Sequence, residues 1–291
     1  MNTKVKFLTA LMSLLVAAAM ISCSDNNNDS DSLATVNGKW VISDLDSKYA
    51  SFEFTPDHHY IVVKNVPAAT TESATTASEK SSFFRTNSMK VMNAATTSSD
   101  SETNLSPIHY GTYTINGNVI TLSGFGVLNI ISITAEEFTF SFTLAADGET
   151  GEYTANLSAP PISESARTKM LCKAWKIDAL DIDEDAVPDL DKDDYIAAYG
   201  PDWKDSIINH QSHLIGGTVL FSRAGTYLVL YVDEEAGLSE WKWTNSQETA
   251  FYYSWNNWQN NWQNNIVQIS ELTNTSLILN EKGRVWDLVV E

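Results

Sequence analysis

The sequence predicts an all-β protein that contains two tandem antiparallel β domains. Three observations support this fold class: apolar and polar residues alternate with a period of two, short turn signals separate the alternating runs, and one set of landmark residues occurs twice in the same order. Alternation of this kind is typical of strands that bury one face. A chain of 291 residues is long enough for two such domains.

The clearest strands are joined by tight turns, and each joined pair predicts a β-hairpin. Asn116-Gly117 lies between two alternating runs, and this dipeptide favours a two-residue turn. Asp147-Gly148 separates the run that begins at Phe138 from a further alternating run. No segment after the signal-like first 22 residues carries a long helical stripe, so we expect strands to dominate the fold.

The duplication rests on landmarks that occur in the same order in both halves, with the same spacing from Phe54 to Tyr60 as from Phe221 to Tyr227 and within the late group of residues. Trp40 in the first half corresponds to Trp175 in the second, and each leads an apolar run. The other paired positions are Phe54 and Phe221, Tyr60 and Tyr227, Leu128 and Val267, Ile130 and Ile269, Ile133-Thr134 and Leu272-Thr273, Phe138 and Leu277, and Phe140 and Leu279. Such a repeat predicts two copies of one structural unit.

Paired prolines mark the boundary between the two halves. Pro160 and Pro161 cannot donate backbone hydrogen bonds to a strand ladder. We therefore expect a first β domain over residues 35–158, a linker over 159–168 and a second β domain over 169–291.

Several of these features together resemble the lipocalin-like lipoprotein domains of the Bacteroidetes. The matching segments are Gly38-Lys39-Trp40, Phe54 to Tyr60, Gly111-Thr112-Tyr113, and Ile130 through Ile133-Thr134 to Phe138. The resemblance covers most of both halves and implies two tandem antiparallel meander β-barrels. It implies no known ligand. The chain departs from the pattern at His58-His59, where a glycine is usual, and at Lys173-Ala174, which stands in place of Gly-x before Trp175.

The first 22 residues resemble the signal peptide of a bacterial lipoprotein. Lys4 and Lys6 precede an apolar run over residues 7–21, which is short for a transmembrane helix. The run ends at Ser22-Cys23, as in a lipobox. The resemblance implies that Cys23 carries a lipid anchor that contains palmitate. An ordinary secretory signal with an incidental cysteine is the alternative.

An acidic, asparagine-rich tether over residues 23–34 follows the cysteine. Such a segment has too little apolar surface to fold. Acidic residues after the lipid-carrying cysteine resemble the surface-export signal of Bacteroidetes lipoproteins. We therefore expect a protein anchored to the outer membrane by lipid and exposed at the cell surface, with a periplasm-facing tether as the alternative.

Charge and cysteine content narrow the classes of partner. The formal net charge is −19, which argues against binding nucleic acid because the phosphates would be repelled. It also argues against peripheral binding to an anionic membrane face. Cys172 has no intramolecular partner if Cys23 is lipidated, and we expect it to be buried as a small hydrophobic residue.

An acidic segment in the second half is a candidate calcium site. Alternating carboxylates on a turning loop suit Ca²⁺, which prefers several hard oxygen ligands. The candidate ligands are Asp181, Asp183, Asp185, Asp189 and Asp191. The segment resembles the acidic calcium repeats of thrombospondin type 3 segments, although Ala186 stands where a glycine is expected. A solvated acidic loop is the alternative.

A short helix is predicted over residues 195–210, with a break at Gly200-Pro201. His210 and His213 follow with a spacing that suits a metal on a helix, but no third ligand is evident, so we expect surface histidines.

Tandem Trp-Gln-Asn-Asn units form a candidate ligand-contacting loop. Indole faces stack on sugar rings, and amides bond sugar hydroxyls. The candidate residues are Trp255, Trp258 and Trp262, with Trp241 and Trp243 upstream. The alternative is a hairpin that packs its indoles on the barrel. The long insert over residues 65–107 is predicted to be disordered or to cap a barrel with a short helix.

Common catalytic signatures, such as a nucleophile elbow or a zinc-binding His-Glu-x-x-His, are absent from the sequence. We therefore expect a non-enzymatic protein that binds a small apolar ligand, a glycan or an envelope protein and needs no cofactor beyond a candidate calcium ion. Two alternatives stay open. One is an accessory subunit of an outer-membrane assembly that docks through edge strands and acidic loops. The other is an unrecognised hydrolase, which would need paired carboxylates in a cleft.

Overall fold

A computed structural model describes residues 36–65, 108–158, 161–232, 236–254 and 265–291. The signal segment, Cys23 and the acidic tether lie outside the described residues, as do residues 66–107 and Trp255, Trp258 and Trp262. Within the described ranges, no helix has the length and apolar content needed to cross a membrane.

The first half of the chain forms a closed eight-stranded barrel. Its strands are β1 (Gly38–Ile42), β2 (Tyr49–Phe54), β3 (His59–Lys64), β4 (Ile108–Asn116), β5 (Val119–Leu122), β6 (Gly126–Ile133), β7 (Glu137–Leu144) and β8 (Thr150–Leu157). Each strand pairs antiparallel with the next, and β8 closes on β1. This is an up-and-down meander.

The second half repeats the same architecture. Its strands are β9 (Ala174–Ile182), β10 (Thr218–Phe221), β11 (Thr226–Leu230), β12 (Ala236–Trp243), β13 (Ala250–Ser254), β14 (Ile266–Leu272), β15 (Ser276–Glu281) and β16 (Arg284–Val290). Strand β9 pairs with both β10 and β16 and thereby closes the barrel. The predicted fold class, two tandem antiparallel meander β-barrels, is confirmed.

The duplication extends to individual hydrogen bonds. Trp40 Nε1 donates to the carbonyl of Val36 at 2.7 Å, and Trp175 Nε1 donates to the carbonyl of Leu171 at 2.9 Å. In each barrel the tryptophan therefore ties the backbone segment four residues upstream to the first strand. The late threonine repeats in the same way: Thr134 Oγ1 accepts from the backbone N–H two and three residues on, and so does Thr273 Oγ1.

The backbone conformation at His58 explains why a glycine is usual at this position of the turn. His58 adopts a φ of 65°, and Gly225, at the equivalent position of the second barrel, adopts a φ of 87°. Both turns therefore need the left-handed backbone that glycine adopts most readily. The first barrel places a histidine in that conformation, with its ring stacked on Tyr113 at a centroid distance of 5.4 Å.

Both predicted hairpins form. Asn116 pairs with Val119, so the two turn residues are Gly117 and Asn118, one position later than the dipeptide predicts. Gly117 supplies the left-handed conformation, with a φ of 57°.

Side chains fill the interiors of both barrels. In the first barrel, the rings of Phe52 and Phe140 lie 5.0 Å apart and those of Trp40 and Phe138 lie 5.4 Å apart. The second barrel buries large aromatic residues of its own, among them Trp175, Trp241, Trp286 and Tyr227. An eight-stranded barrel is just wide enough for side chains to occupy its interior. Burial of this apolar surface is the main stabilising contribution to each barrel.

Helices accompany the second barrel. Helix α1 (Ala166–Leu171) precedes β9, whereas α2 (Asp189–Tyr199) and α3 (Trp203–Gln211) form an insert between β9 and β10. The predicted break is confirmed, because Gly200 follows α2 with a φ of 78°. Helix α2 begins at Asp189, within the segment predicted to be an acidic loop. His210 and His213 are exposed, as expected.

The two barrels contact each other through outward-facing residues of neighbouring strands. Ile61 and Ile108 of the first barrel form one buried apolar cluster with Leu220 and Leu228 of the second. Beside this cluster, Thr226 Oγ1 donates to Glu53 Oε2 at 2.6 Å, although Glu53 is only 2 % exposed. The other oxygen of this carboxylate, Oε1, is buried and makes no hydrogen bond to the described residues, so Glu53 is only partly satisfied.

Cys172 is a free thiol that is buried in the core of the second barrel. Burial raises the pKa of this thiol far above its ordinary value. The predicted role of Cys172 as a small hydrophobic residue is confirmed.

Candidate functional site

Polar side chains face the interior of the first barrel at one end. In β3 the inward positions are Tyr60 and Val62, both buried in the core, and the same alternation directs Lys64 inward. In β4 the inward residue Tyr113 sets the alternation that directs His109 inward. Val62 pairs with His109 across the two strands. Lys64 and His109 therefore face the barrel interior, as the apolar residues of the same strands do deeper in the barrel.

We call this end of the first barrel the mouth. Its members share an inward position near the ends of β2, β3, β4, β7 and β8, or in the turn between β5 and β6. They are Tyr49, Lys64, His109, Phe125, Phe142 and Tyr153. Lys64, His109 and Tyr153 are half-buried, and the other three are buried. The mouth is thus reachable from solvent at its polar side.

His109 lies flat on an aromatic ring in the mouth. Its imidazole stacks on Phe125 at a centroid distance of 4.2 Å, with 22° between the planes. Its Nε2 atom is buried and makes no hydrogen bond to the described residues. Burial, reinforced by the nearby charge of Lys64, lowers the pKa of His109 to about 4. At neutral pH the ring is therefore uncharged and has one donor and one acceptor nitrogen.

Lys64 places its ammonium over the same ring. Its Nζ atom lies 5.8 Å from the centroid of Phe125, a cation–π geometry. Burial lowers the pKa of Lys64, and the charge of Asp147 partly opposes that shift. In the described ranges, no carboxylate forms an ion pair with Lys64. Lys48, by contrast, pairs with Glu149 at the surface.

Aromatic rings form the floor of the mouth. Tyr49 meets Phe142 and Tyr153 edge-on at centroid distances of 5.4 and 5.5 Å. Burial raises the pKa of Tyr49 to about 12, so its phenol is uncharged at neutral pH. Below it, Phe52 and Phe140 are fully buried. The mouth is therefore a shallow apolar surface with a cation and a neutral imidazole at its edge.

The second barrel provides an internal comparison, because its strand register identifies the equivalent positions. Val229 pairs with Gly237 as Val62 pairs with His109, so Gly237 takes the place of His109. Counting along β3 and β11 from the equivalent tyrosines, Tyr231 takes the place of Lys64. The second barrel forms without either polar group of the mouth, which shows that the fold itself does not need them.

A buried ion pair occupies the corresponding end of the second barrel. Phe142 pairs with Gly151 in the first barrel, and Glu281 pairs with Arg284 at the same register in the second. Arg284 Nη2 lies 2.7 Å from Glu281 Oε2, and the two side chains are only 8 % and 3 % exposed. The Tyr253 hydroxyl donates to Glu281 Oε1 at 2.6 Å. Both oxygens of the Glu281 carboxylate therefore have partners inside the barrel.

The helical insert packs against that end of the second barrel. Asp191 of α2 forms an ion pair with Lys282 at 3.3 Å, and Val187 contacts Gly283. Trp203 and Ile207 of α3 share an apolar cluster with Val187. The second barrel is therefore covered where the first presents its mouth.

The aspartates predicted to bind calcium are divided among different elements. Asp181 lies in β9, Asp183 and Asp185 lie at a 3₁₀ turn over Glu184–Ala186, and Asp189 and Asp191 lie in α2. In the described part of the chain, no group of three or more acidic, histidine or cysteine side chains is arranged to hold a metal ion.

Lysines neutralise part of this acidic segment. Glu184 bonds Lys192 at 2.5 Å and Lys204 at 2.8 Å, and these hydrogen bonds lower the pKa of Glu184 to about 2. The carboxylate thus acts as a bridge between α2 and α3.

The structure corrects the expectation for two tryptophans predicted to contact a ligand. Trp241 is 1 % exposed in the core of the second barrel, and its Nε1 donates to the carbonyl of Ser222 at 2.9 Å. Trp243 packs against the same core, and its Nε1 donates to Thr168 Oγ1 at 2.9 Å. Both indoles are held by the barrel, because alternation along β12 sends Trp241 inward and the α1 segment covers Trp243.

His109 and Lys64 were not among the residues predicted from the sequence to form a binding site. A signal for both was present, since each continues the inward parity of its strand: residues 60, 62 and 64 in one run, and 109, 111 and 113 in the other. A polar residue at a core-facing position is informative because burying it costs free energy.

No known protein-family model matches the chain, and no curated protein matches it significantly. The functional assignment therefore depends on the geometry and chemistry of the mouth and on the contrast between the two barrels.

Proposed function

We propose that this chain is a non-enzymatic binding protein, anchored to the outer membrane by lipid at Cys23, whose first barrel binds a small apolar ligand at the mouth. The observation that carries the proposal is the buried Nε2 atom of His109, which makes no hydrogen bond to the described residues. An unsatisfied buried polar atom costs about 1–3 kcal/mol. A ligand that bonds this atom would offset the cost.

Two further features support a ligand at the mouth rather than deep in a barrel. Phe52, Phe140 and Trp40 occupy the interior of the first barrel, so an apolar molecule finds its contact surface at the mouth, where Tyr153 is half-buried. The second barrel fills the equivalent place with its own ion pair. The anchoring part of the proposal rests on the lipobox-like Ser22-Cys23 and the acidic tether.

A thermal-shift experiment with a blocked mouth tests the binding proposal. The mature domain would be mixed with octanoate, octanol, 2-naphthoate and 2-naphthol, and its melting temperature measured. In the variant His109→Trp the larger ring fills the mouth, whereas Thr121→Trp adds the same ring on the exposed outer face of β5. We expect at least one probe to raise the melting temperature of the wild type and of Thr121→Trp, and to leave His109→Trp unchanged.

Two outcomes contradict the proposal. One is that no probe of either class shifts the wild type. The other is that His109→Trp, shown by circular dichroism to be folded, responds to the probes as the wild type does.

A further inference from the structure

We infer that the mouth selects a monocarboxylate, with Lys64 and His109 bonding the two carboxylate oxygens and the aromatic floor contacting the apolar body. This inference rests on the proposed function and names the chemical class of its ligand. Three features support it: the charge at the mouth, the hydrogen-bonding state of His109 and the depth of the floor.

The charge at the mouth favours an anion. The chain as a whole has a net charge of −19, yet Lys64 keeps its ammonium half-buried over Phe125 with no ion-pair partner in the described ranges. Among other half-buried cations of the described ranges, Lys192 bonds Glu184, and Arg223 contacts Glu164 at 3.4 Å. Lys173 lies over Trp175 as Lys64 lies over Phe125, but its ammonium also donates to the carbonyl of Asn274 at 3.1 Å. A cation that the protein leaves uncompensated at a binding surface favours a ligand that supplies the negative charge.

The imidazole supplies a second donor beside the ammonium. Lys64 and His109 both lie against Phe125, at 5.8 and 4.2 Å from its centroid. A neutral imidazole can hold its proton on Nε2, and that N–H then donates to an oxygen atom. One charged donor and one neutral donor match the two oxygens of a single carboxylate.

Neighbouring acids disfavour a more highly charged head group. The carboxylates of Asp147 and Glu149 lie near enough to influence the titration of Lys64 and Tyr49. Glu149 is engaged by Lys48, and Asp147 accepts from the backbone N–H of Glu149 at 2.8 Å. A dianionic phosphate would meet this negative potential with only one uncompensated ammonium opposite it. A monoanion suffers less repulsion.

The depth of the mouth limits the apolar body. Tyr49 contacts Phe52 at a centroid distance of 5.3 Å in a tilted geometry, and Phe52 meets Phe140 edge-on at 5.0 Å, so aromatic rings fill the space below the surface. The body therefore lies across the floor instead of entering the barrel. A one- or two-ring aromatic group or a short alkyl chain fits this description.

Calorimetric titration with matched pairs of probes tests the inference. The pairs are 2-naphthoate with 2-naphthamide and octanoate with octanamide, so each pair keeps its apolar body and changes only the charge. In the wild type we expect an acid to bind at least tenfold more tightly than its amide. In Lys64→Gln we expect that preference to fall to within twofold, and Lys64→Arg should retain it.

The control variant Lys176→Gln removes an exposed lysine from the outside of the second barrel and should keep the full preference. 2-Naphthyl phosphate distinguishes the kind of anion, and we expect it to bind more weakly than 2-naphthoate. Folding of each variant is checked by its melting temperature.

The failures of the two proposals are distinguishable. Equal binding of acid and amide by the wild type overturns the carboxylate inference and leaves binding at the mouth intact. Tighter binding of the phosphate, or an unchanged preference in Lys64→Gln, overturns the inference in the same way. No binding by any member of either pair overturns both.

Discussion

Three histidines of this chain show how position decides the behaviour of one residue type. His58 occupies a left-handed turn, with a φ of 65°. His213 is exposed, and its Nδ1 lies 2.9 Å from the carbonyl of His210. Only His109 faces a barrel interior, where burial removes the water that would stabilise its protonated form. The consequence is a histidine that stays neutral well below its ordinary pKa.

The lowered pKa of His109 predicts a specific loss of stability in acid. An unfolded histidine takes up a proton near pH 6.5, whereas folded His109 does so only near pH 4. As the pH falls from 6.5 toward 4, the unfolded state binds more protons and the folded state becomes less stable. The variant His109→Phe keeps a ring on Phe125 and removes this titration.

The free energy of unfolding should be measured in urea at pH 7.5 and pH 5.0. We expect the decrease between the two pH values to be smaller in His109→Phe than in the wild type. An equal decrease in both proteins would contradict the assignment.

At the scale of secondary-structure elements, the hairpin between β15 and β16 anchors the helical insert. Gly283 adopts a φ of 85°, and a Cβ atom there would collide with Val187 and lie 2.7 Å from the carbonyl of Asp183. The backbone N–H of Asp183 also donates to the carbonyl of Gly283 at 2.8 Å. The glycine thus allows the insert to approach the barrel end closely.

Gly283→Ala should destabilise the protein by about 3 kcal/mol, because a strained backbone and a steric collision act together. Gly117→Ala is the matched control: its φ is 57°, but nothing lies within 4 Å of the added Cβ. We expect the control to cost about 1 kcal/mol. Urea unfolding of both variants checks the difference, and equal losses would show that Val187 relaxes freely.

Strands with one buried face, such as β7, were predictable, whereas α2 was not fully predictable because none of its residues is fully buried. Phe138, Phe140 and Phe142 are buried in β7 while their neighbours are not, which is the alternation visible in the sequence. Helix α2 buries no residue, so its acidic first half carries no apolar period to mark it as helical.

The mouth was harder to predict than the strands that form it. His109 of β4 and Phe125 of the turn between β5 and β6 are brought together by the pairing of β4 with β5, and no local pattern in the sequence indicates that contact. The inward parity of Lys64 and His109 is visible only once Tyr60 and Tyr113 are known to face the core. Trp241 shows the opposite error, since a tryptophan-rich neighbourhood suggested a surface where alternation places the core.

At the scale of the whole molecule, the contact between the barrels links two otherwise independent cores. Leu228 faces away from the interior of its own barrel and is fully buried against the other. The hydrogen bond between Thr226 and Glu53 lies beside it. We expect the two barrels to unfold in one cooperative transition because of this shared surface.

Leu228→Asp should split that transition in two, since an unpaired buried charge costs about 3–5 kcal/mol at the contact and leaves both interiors unchanged. Val289→Asp is the control, because Val289 is an outward-facing apolar residue that is already 38 % exposed. Differential scanning calorimetry measures both. A single transition of the wild-type shape in Leu228→Asp would contradict the coupling.

The proposed lipid attachment belongs to the same scale, because it would decide where the whole molecule acts. Cells that express the full chain and are fed an alkyne-bearing palmitate analogue should label the protein through Cys23. Cys23→Ser should lose the label, whereas Cys172→Ser should keep it, since Cys172 is buried. Equal labelling of the Cys23→Ser variant would exclude the anchor at that residue.

Closure of the two sheets has a consequence for how other proteins can attach to this one. Every one of the sixteen described strands has a hydrogen-bonded neighbour on both sides. These strands therefore offer a partner no unpaired edge to extend. The edge-to-edge strand pairing through which open sheets aggregate is blocked in both barrels. An accessory subunit that docks by strand addition does not fit these barrels. Recognition by these barrels is left to side chains, which can be specific without making the molecule prone to non-specific association.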